Sequence, residues 1–203
     1  MHYENDYQKN QQKKGFYQDD RSQLLSLIAE NPLATLVFTD VNALTHISHI
    51  PFYLTKDEAG IEVLVGHVSN YHPLAKVLIS TKNNPPIQLV FNGDNAYISP
   101  NYSDSLTVPT WNYTNVHLQS EAVLISNFKE KLHYLNGCTN YFEREQPQPW
   151  LLESVAPELI NKMLSAITFF KVSTAELKGR FKLSQNKAKS VRKEIANNLS
   201  QIS

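Results

Sequence analysis

Residues Phe91–His117 read FNGDNAYISPNYSDSLTVPTWNYTNVH, and the fold turns on this stretch. It places two segments of strand-like alternation on either side of a polar, aromatic loop fixed by Pro100 and Pro109. Asn92-Gly93 is a strong signal for a two-residue hairpin, because a type I′ turn needs positive φ at both central positions. The expectation is a hairpin that pairs residues 87–91 with residues 97–98. Tyr97, Tyr102, Trp111 and Tyr113 give the loop flat faces with polar edges. Such a set suits a pocket for a planar, polar ligand, and it suits an aromatic plug at one end of a barrel equally well.

Working outward, residues 112–124 alternate as one long strand. Thr114, Val116, Leu118, Ala122 and Leu124 share one face, and Asn115, His117, Gln119 and Glu121 share the other. Further strands are expected at Leu33–Thr39, 45–54, 61–68, 166–172 and 175–183. Pro51 cannot donate to a ladder, so it marks an edge or a bulge. Asp20 and Gln23 have the spacing of a capping box ahead of a short helix. Pro73 opens a second helix at about 71–79. A helical insertion follows at 126–164, where Ser126 or Asn127 caps a helix with Phe128, Leu132, Leu135 and Phe142 on one face, Glu130 lies at the capping-box spacing from Asn127, and Pro157 opens another helix. A last helix is expected within 184–203, starting at about Asn186. Strands in the middle, helices at the edges and no βαβ rhythm predict a mainly β chain, an antiparallel barrel with peripheral helices. We read residues 1–203 as one domain with an N-terminal arm at 1–15.

The totals narrow the class. A chain of 203 residues buries a core without disulfides or a structural metal. Its single cysteine, Cys138, suits a reducing compartment. Nineteen basic and nineteen acidic residues cancel, so no global field draws the chain to nucleic acid or to an anionic membrane. No apolar run approaches the roughly 20 residues of a membrane span, and the polar N-terminus lacks a signal-peptide core. These features predict a soluble, cytoplasmic protein.

Few catalytic patterns survive inspection. Seven histidines invite a metal, yet His46 and His49 diverge on a strand, and no Cys-x-x-Cys or His-Glu-x-x-His accompanies them. No metal site is expected. Gly-x-Ser-x-Gly, a P-loop and Gly-x-Gly-x-x-Gly are all absent, and six glycines leave little for a backbone phosphate cradle. A bound phosphate would need side chains, and Lys182-Leu183-Ser184-Gln185-Asn186-Lys187 offers them just before the expected last helix. The alternative is an ordinary cap on a basic, solvated helix. No helix-turn-helix pattern is present, so direct DNA binding is not expected.

Five segments, HISHIPFYL, VGHVSNYHPL, FNGDNAYISPNY, VPTWNYTNVH and FKLSQNK, occur in the order seen in the PaiB-like family of FMN-binding split barrels. The chain resembles this family from about Phe16 to Leu199, most specifically at Val108-Pro109-Thr110-Trp111-Asn112-Tyr113 and Lys182-Leu183-Ser184-Gln185-Asn186. The family is labelled an FMN-binding negative transcriptional regulator and is similar to flavin reductases and pyridoxamine phosphate oxidases.

The resemblance implies a six-stranded antiparallel split β-barrel, a homodimer, and FMN held in clefts at the subunit interface. It implies that His49 and Pro51, then Gly66, His67, Ser69 and Asn70, lie on strands beside the cleft. Tyr97 and Ser99 belong to a hairpin arm, and Pro109, Thr110, Trp111 and Asn112 to a pocket corner. Lys182, Ser184, Gln185 and Asn186 become the phosphate or interface group, while Thr110, Asn112 and Ser99 face the ring edge. This chain departs from the family pattern at three places: Asn70 replaces an arginine, Tyr102-Ser103 replaces Trp-Tyr, and Lys187 replaces a second arginine. Three functions stay open: a flavin-dependent oxidoreductase of flavin-reductase type, a regulator that senses flavin or keeps it as a vestige, and a dimer that binds a small molecule without redox chemistry.

Overall fold

The computed structural model describes residues 15–80, 84–106 and 108–201. The arm expected at 1–15 lies outside them, apart from Gly15. In chain order the elements are β1 (Tyr17–Gln18), α1 (Arg21–Glu30), β2 (Leu33–Thr39), β3 (Thr45–Pro51), β4 (Tyr53–Lys56), β5 (Glu62–Ser69) and α2 (Pro73–Ser80). There follow β6 (Pro86–Ile98), β7 (Thr110–Ile125), α3 (Phe128–Glu143), α4 (Pro157–Ala166), β8 (Ile167–Ser173), β9 (Leu177–Lys182) and α5 (Lys189–Leu199). The chain is mainly antiparallel β with peripheral helices. It divides into two compact units, and β6 and β7 contribute residues to both.

One unit comprises Pro32–Val90 and Leu118–Glu176. Its strand order is β3-β2-β6-β7-β8-β5-β4. Along β2, Ala34, Leu36 and Phe38 are buried and alternate with half-exposed neighbours, as the period of two demands. Pro51 ends β3 at the sheet edge, and Phe52 breaks the expected 45–54 strand into β3 and β4. That break and the two-residue β1 help to give the open sheet nine strands, where six were expected. Val63, Val65, Ile125, Tyr134, Leu135, Leu152, Leu164 and Phe169 form one core of this unit. Ile125 belongs to it while Leu124 is only half-buried, so the alternation expected along 112–124 slips at the end of β7. Phe128, expected on the buried face of α3, is half exposed, and Tyr134 takes the buried place.

The other unit comprises Met1–Asn31, Phe91–His117 and Leu177–Ser203. β9 pairs with both β1 and β7. Asp20 caps α1 by accepting from Ser22 N, but Gln23 does not complete the expected box. Its amide donates to the Asp20 carboxylate, while the Asp20 N–H goes to Gln18 Oε1. Leu24 packs on Gly179, where a Cβ would stand 2.3 Å from Leu24 Cδ2 and 2.9 Å from Gln18 O. Ile98, Leu106, Val191 and Ile195 form a separate core under α5.

The hairpin expected at Asn92-Gly93 does not form, because β6 runs unbroken from Pro86 to Ile98. Neither residue has positive φ. Gly93 serves close approach instead: a Cβ there would meet Thr114 Oγ1 at 2.3 Å. The last helix likewise begins at Lys189 and not near Asn186, and Ser184–Lys187 is a turn closed by Lys187 N on Ser184 O.

Ala43 takes φ 62° in the β2–β3 loop, where Asp40 Oδ1 accepts from the Asn42 and Leu44 amides. A Cβ in that region costs roughly 1–2 kcal/mol. Ala43→Gly is therefore expected to stabilise by about 1 kcal/mol and to raise the melting temperature by roughly 2–4 °C in a thermal melt.

Candidate functional site

β7 and β9 bring the Thr110–Asn112 and Lys182–Ser184 segments together in one unit. Lys182 Nζ donates to Thr110 Oγ1, and Ser184 Oγ donates to Asn112 Oδ1 at 2.8 Å. Two of the residues implied for the ring edge, Thr110 and Asn112, are thus each hydrogen-bonded to one implied for the phosphate. Ser184 is buried and held at φ 58°. Gln185 closes the turn, accepting from Leu183 N at 2.7 Å and donating to Phe181 O and Gly15 O. Asn186 is exposed beyond it.

At the alternate position of β7, Trp111 pairs edge to face with Tyr97, with centroids 5.8 Å apart. Tyr97 and Trp111 remain 46% and 53% exposed, so ring-sized aromatic surface stays open to solvent. Pro109 is exposed at the head of β7. Ser99 is used locally, capping the Pro100–Tyr102 turn by accepting from Asn101 N at 3.2 Å.

Reading the sequence for sites overlooked Arg180. Two residues before Lys182 on β9, its guanidinium stands 5.8 Å from the Tyr113 ring. Burial, and after it the Arg180 charge, holds the Lys182 ammonium below the usual lysine range. An anion placed beside this pair of cations would relieve their repulsion. The Lys-Gly-Arg-x-Lys pattern of residues 178–182 held the available signal. Asn115 Oδ1, on the same strand face as Trp111 and Tyr113, is buried without a hydrogen-bond partner among the described residues.

The remaining candidates lie in the other unit. His49 and Pro51 are exposed on β3. Gly66 lies opposite Phe170 in the β5–β8 ladder, and a Cβ there would come within 2.8 Å of the Phe52 ring. His67 stacks on Phe169 with centroids 5.0 Å apart, and burial lowers its pKa. Ser69 Oγ accepts from Tyr71 N. Asn70 is committed to the fold: Nδ2 donates to Ser165 O at 2.6 Å, and Oδ1 accepts from Thr168 Oγ1 at 2.8 Å. It serves as a clasp between the end of α4 and the start of β8. Among the described residues no three His, Cys, Asp or Glu side chains gather into a metal-holding group.

The comparisons with known proteins accord with this architecture. Residues 11–176 match the family described as "Putative FMN-binding domain". The chain belongs to that FMN-binding family. The matched segment includes the Tyr97–Trp111 pair and ends before Lys182, so the β9 half of the array lies outside it. The PaiB-like resemblance holds: protease synthase and sporulation protein PAI 2 of Bacillus subtilis (strain 168) is 25% identical over 174 residues, 86% of this chain and 81% of that protein. Two solved structures share the fold. The flavocytochrome Anf3 from Azotobacter vinelandii has a TM-score of 0.63 at 20% identity, over 82% of this chain and 69% of that one. The FAD and heme binding protein from Mycobacterium smegmatis has a TM-score of 0.62 at 16% identity, over 90% and 80%.

His72 carries a consequence for this family member's pH response. Leu74 N donates to His72 Nδ1 at 3.1 Å, so the ring caps α2 as its neutral tautomer and Nε2–H faces Ser48 Oγ at 2.8 Å. Burial, then the charge of His46, lowers its pKa. A depressed histidine contributes stability that is present above the unfolded value of about 6.5 and is lost as pH falls through the folded value. Thermal melts are expected to drop from about pH 6.5 downward. His72→Asn, which keeps a capping acceptor without a titration, should flatten part of that drop.

Proposed function

We propose that this chain binds FMN on the Tyr97–Trp111 surface and the adjoining Thr110–Lys182 and Asn112–Ser184 array. The observation that carries the reading is an exposed aromatic pair at the head of β7, the strand whose Thr110 and Asn112 hold Lys182 and Ser184. Those residues suit the group in kind: aromatic faces for an isoalloxazine, Thr110 and Asn112 for its polar edge, and Lys182 with Ser184 and Asn186 for a phosphate, on a turn that Gln185 closes. When bound, the flavin would supply reversible electron transfer, so no catalytic acid or base need stand in the sequence. The chain's own work is to bind, to orient the ring and to exclude water from one of its faces. We assign it to the flavin-dependent oxidoreductases of flavin-reductase type, acting in a reducing cytoplasm. Burial pushes the Cys138 thiol up to about 11, which leaves it unreactive as a thiolate at neutral pH. No described helix is long and apolar enough to cross a membrane.

Exposed Tyr97, Val108, Trp111 and Leu183 support a homodimer with the ligand at its interface. Sedimentation of the purified protein tests this, and a monomer at micromolar concentration would count against it. The commitment of Asn70 to the fold favours a second reading, a dimer that binds a planar ligand without redox turnover. FMN-loaded protein that is bleached by NADH or NADPH and recolours in air supports the oxidoreductase; failure to bleach supports the second reading.

A further inference from the structure

We propose that the cavity between the β4–β5 turn and the first turns of α3 binds a small zwitterion, an ammonium and a carboxylate on one molecule, as in a free amino acid. The cavity measures about 650 Å³, and its lining includes Lys56, Asp57, Glu58, Lys129, Glu130 and Tyr134. This size falls in the small-molecule range.

Tyr134 supplies the cavity's neutral polar group. Its ring is buried, the residue being only 2% exposed, while its hydroxyl opens on the cavity and forms no hydrogen bond among the described residues. Besides burial, the carboxylates of Glu130, Asp57 and Glu58 raise its pKa, so the oxygen sits in negative potential and favours a cationic donor. Two of those carboxylates are only partly engaged. Asp57 Oδ1 accepts from the Ala59 and Ile61 amides, and Glu130 Oε1 faces Lys171 at 3.7 Å.

Lys56 and Lys129 line the same cavity without forming an ion pair with its carboxylates among the described residues. They are not among the charges acting on the phenol. One molecule meets both ends: its ammonium lies at the Tyr134 hydroxyl and the carboxylates, and its carboxylate lies at the lysines. This site is independent of the flavin reading, since all its residues lie in the unit that lacks the Tyr97–Trp111 pair.

The test screens the full chain against each of the twenty L-amino acids by thermal shift, with calorimetry on the strongest. At about a hundredfold excess over Kd, a binder should raise the melting temperature by roughly 5 °C. Tyr134→Phe removes a hydroxyl that has no protein partner, so it should leave the unliganded melt within about 1–2 °C and weaken binding about tenfold or more. Lys129→Ala, an exposed change, should also weaken it. The proposal is overturned if no amino acid shifts the melt or if Tyr134→Phe binds as well as wild type. It also falls if the corresponding amine without a carboxylate binds as tightly.

Discussion

Replacing Lys182 with alanine is expected to weaken FMN binding by about ten- to a hundredfold. The ammonium is the charged member of the Thr110–Asn112–Ser184 array, and the arginine expected at position 70 is an asparagine consumed by the fold. A charge-assisted hydrogen bond to a phosphate contributes roughly 1.5–3 kcal/mol, which converts to that range of Kd. Lys182→Arg should recover part of the loss, because a guanidinium keeps the charge while changing its geometry. Equilibrium titration of flavin fluorescence measures all three proteins. Riboflavin, which lacks the phosphate, supplies the internal control: its affinity should change little in Lys182→Ala. If riboflavin and FMN lose equally, Lys182 acts on the fold and not on the phosphate.

The second large effect belongs to Phe170. Its ring is fully buried, meets Phe52 edge to face at 5.8 Å and 82°, and fills the space that Gly66 leaves open across the β5–β8 ladder. Phe170→Ala removes the ring without a neighbour able to fill the void, because Gly66 has no side chain to offer. The expected cost is about 3–5 kcal/mol, a large share of a domain's usual stability of about 5–15 kcal/mol. Phe170→Leu retains most of the volume and should cost well under half as much. Urea denaturation with unchanged slope would register both changes as losses of stability. An alanine variant within 1 kcal/mol of wild type, a margin of roughly the usual single-mutation effect, would mean that the Phe52–Gly66–Phe170 packing does not organise this sheet.

Local patterning made much of this legible in advance. Ala34, Leu36 and Phe38 alternate, Asn127 accepts from Glu130 N, and Pro73 and Pro157 open helices, because each rests on interactions a few residues apart. What misled was chemistry with two uses. Asn92-Gly93 carries the residues of a tight turn, but the glycine is required by Thr114, a residue far away in the chain. Asn70 resembles a ligand position by its place in a motif, while Thr168 and Ser165, nearly a hundred residues on, claim its amide. The basic run 178–182 flagged Arg180 without its role, and Tyr134 carried no signal, for the same reason: both roles depend on which side chains tertiary packing sets beside them.

Gel filtration of the purified chain after incubation with excess FMN reads flavin binding without any assumption about turnover. The account predicts that the protein peak carries flavin absorbance between roughly 350 and 500 nm, the range of the oxidised cofactor. It also predicts that Trp111→Ala sheds that absorbance while remaining folded. Protein that elutes colourless, with all FMN in the small-molecule fraction, would contradict it.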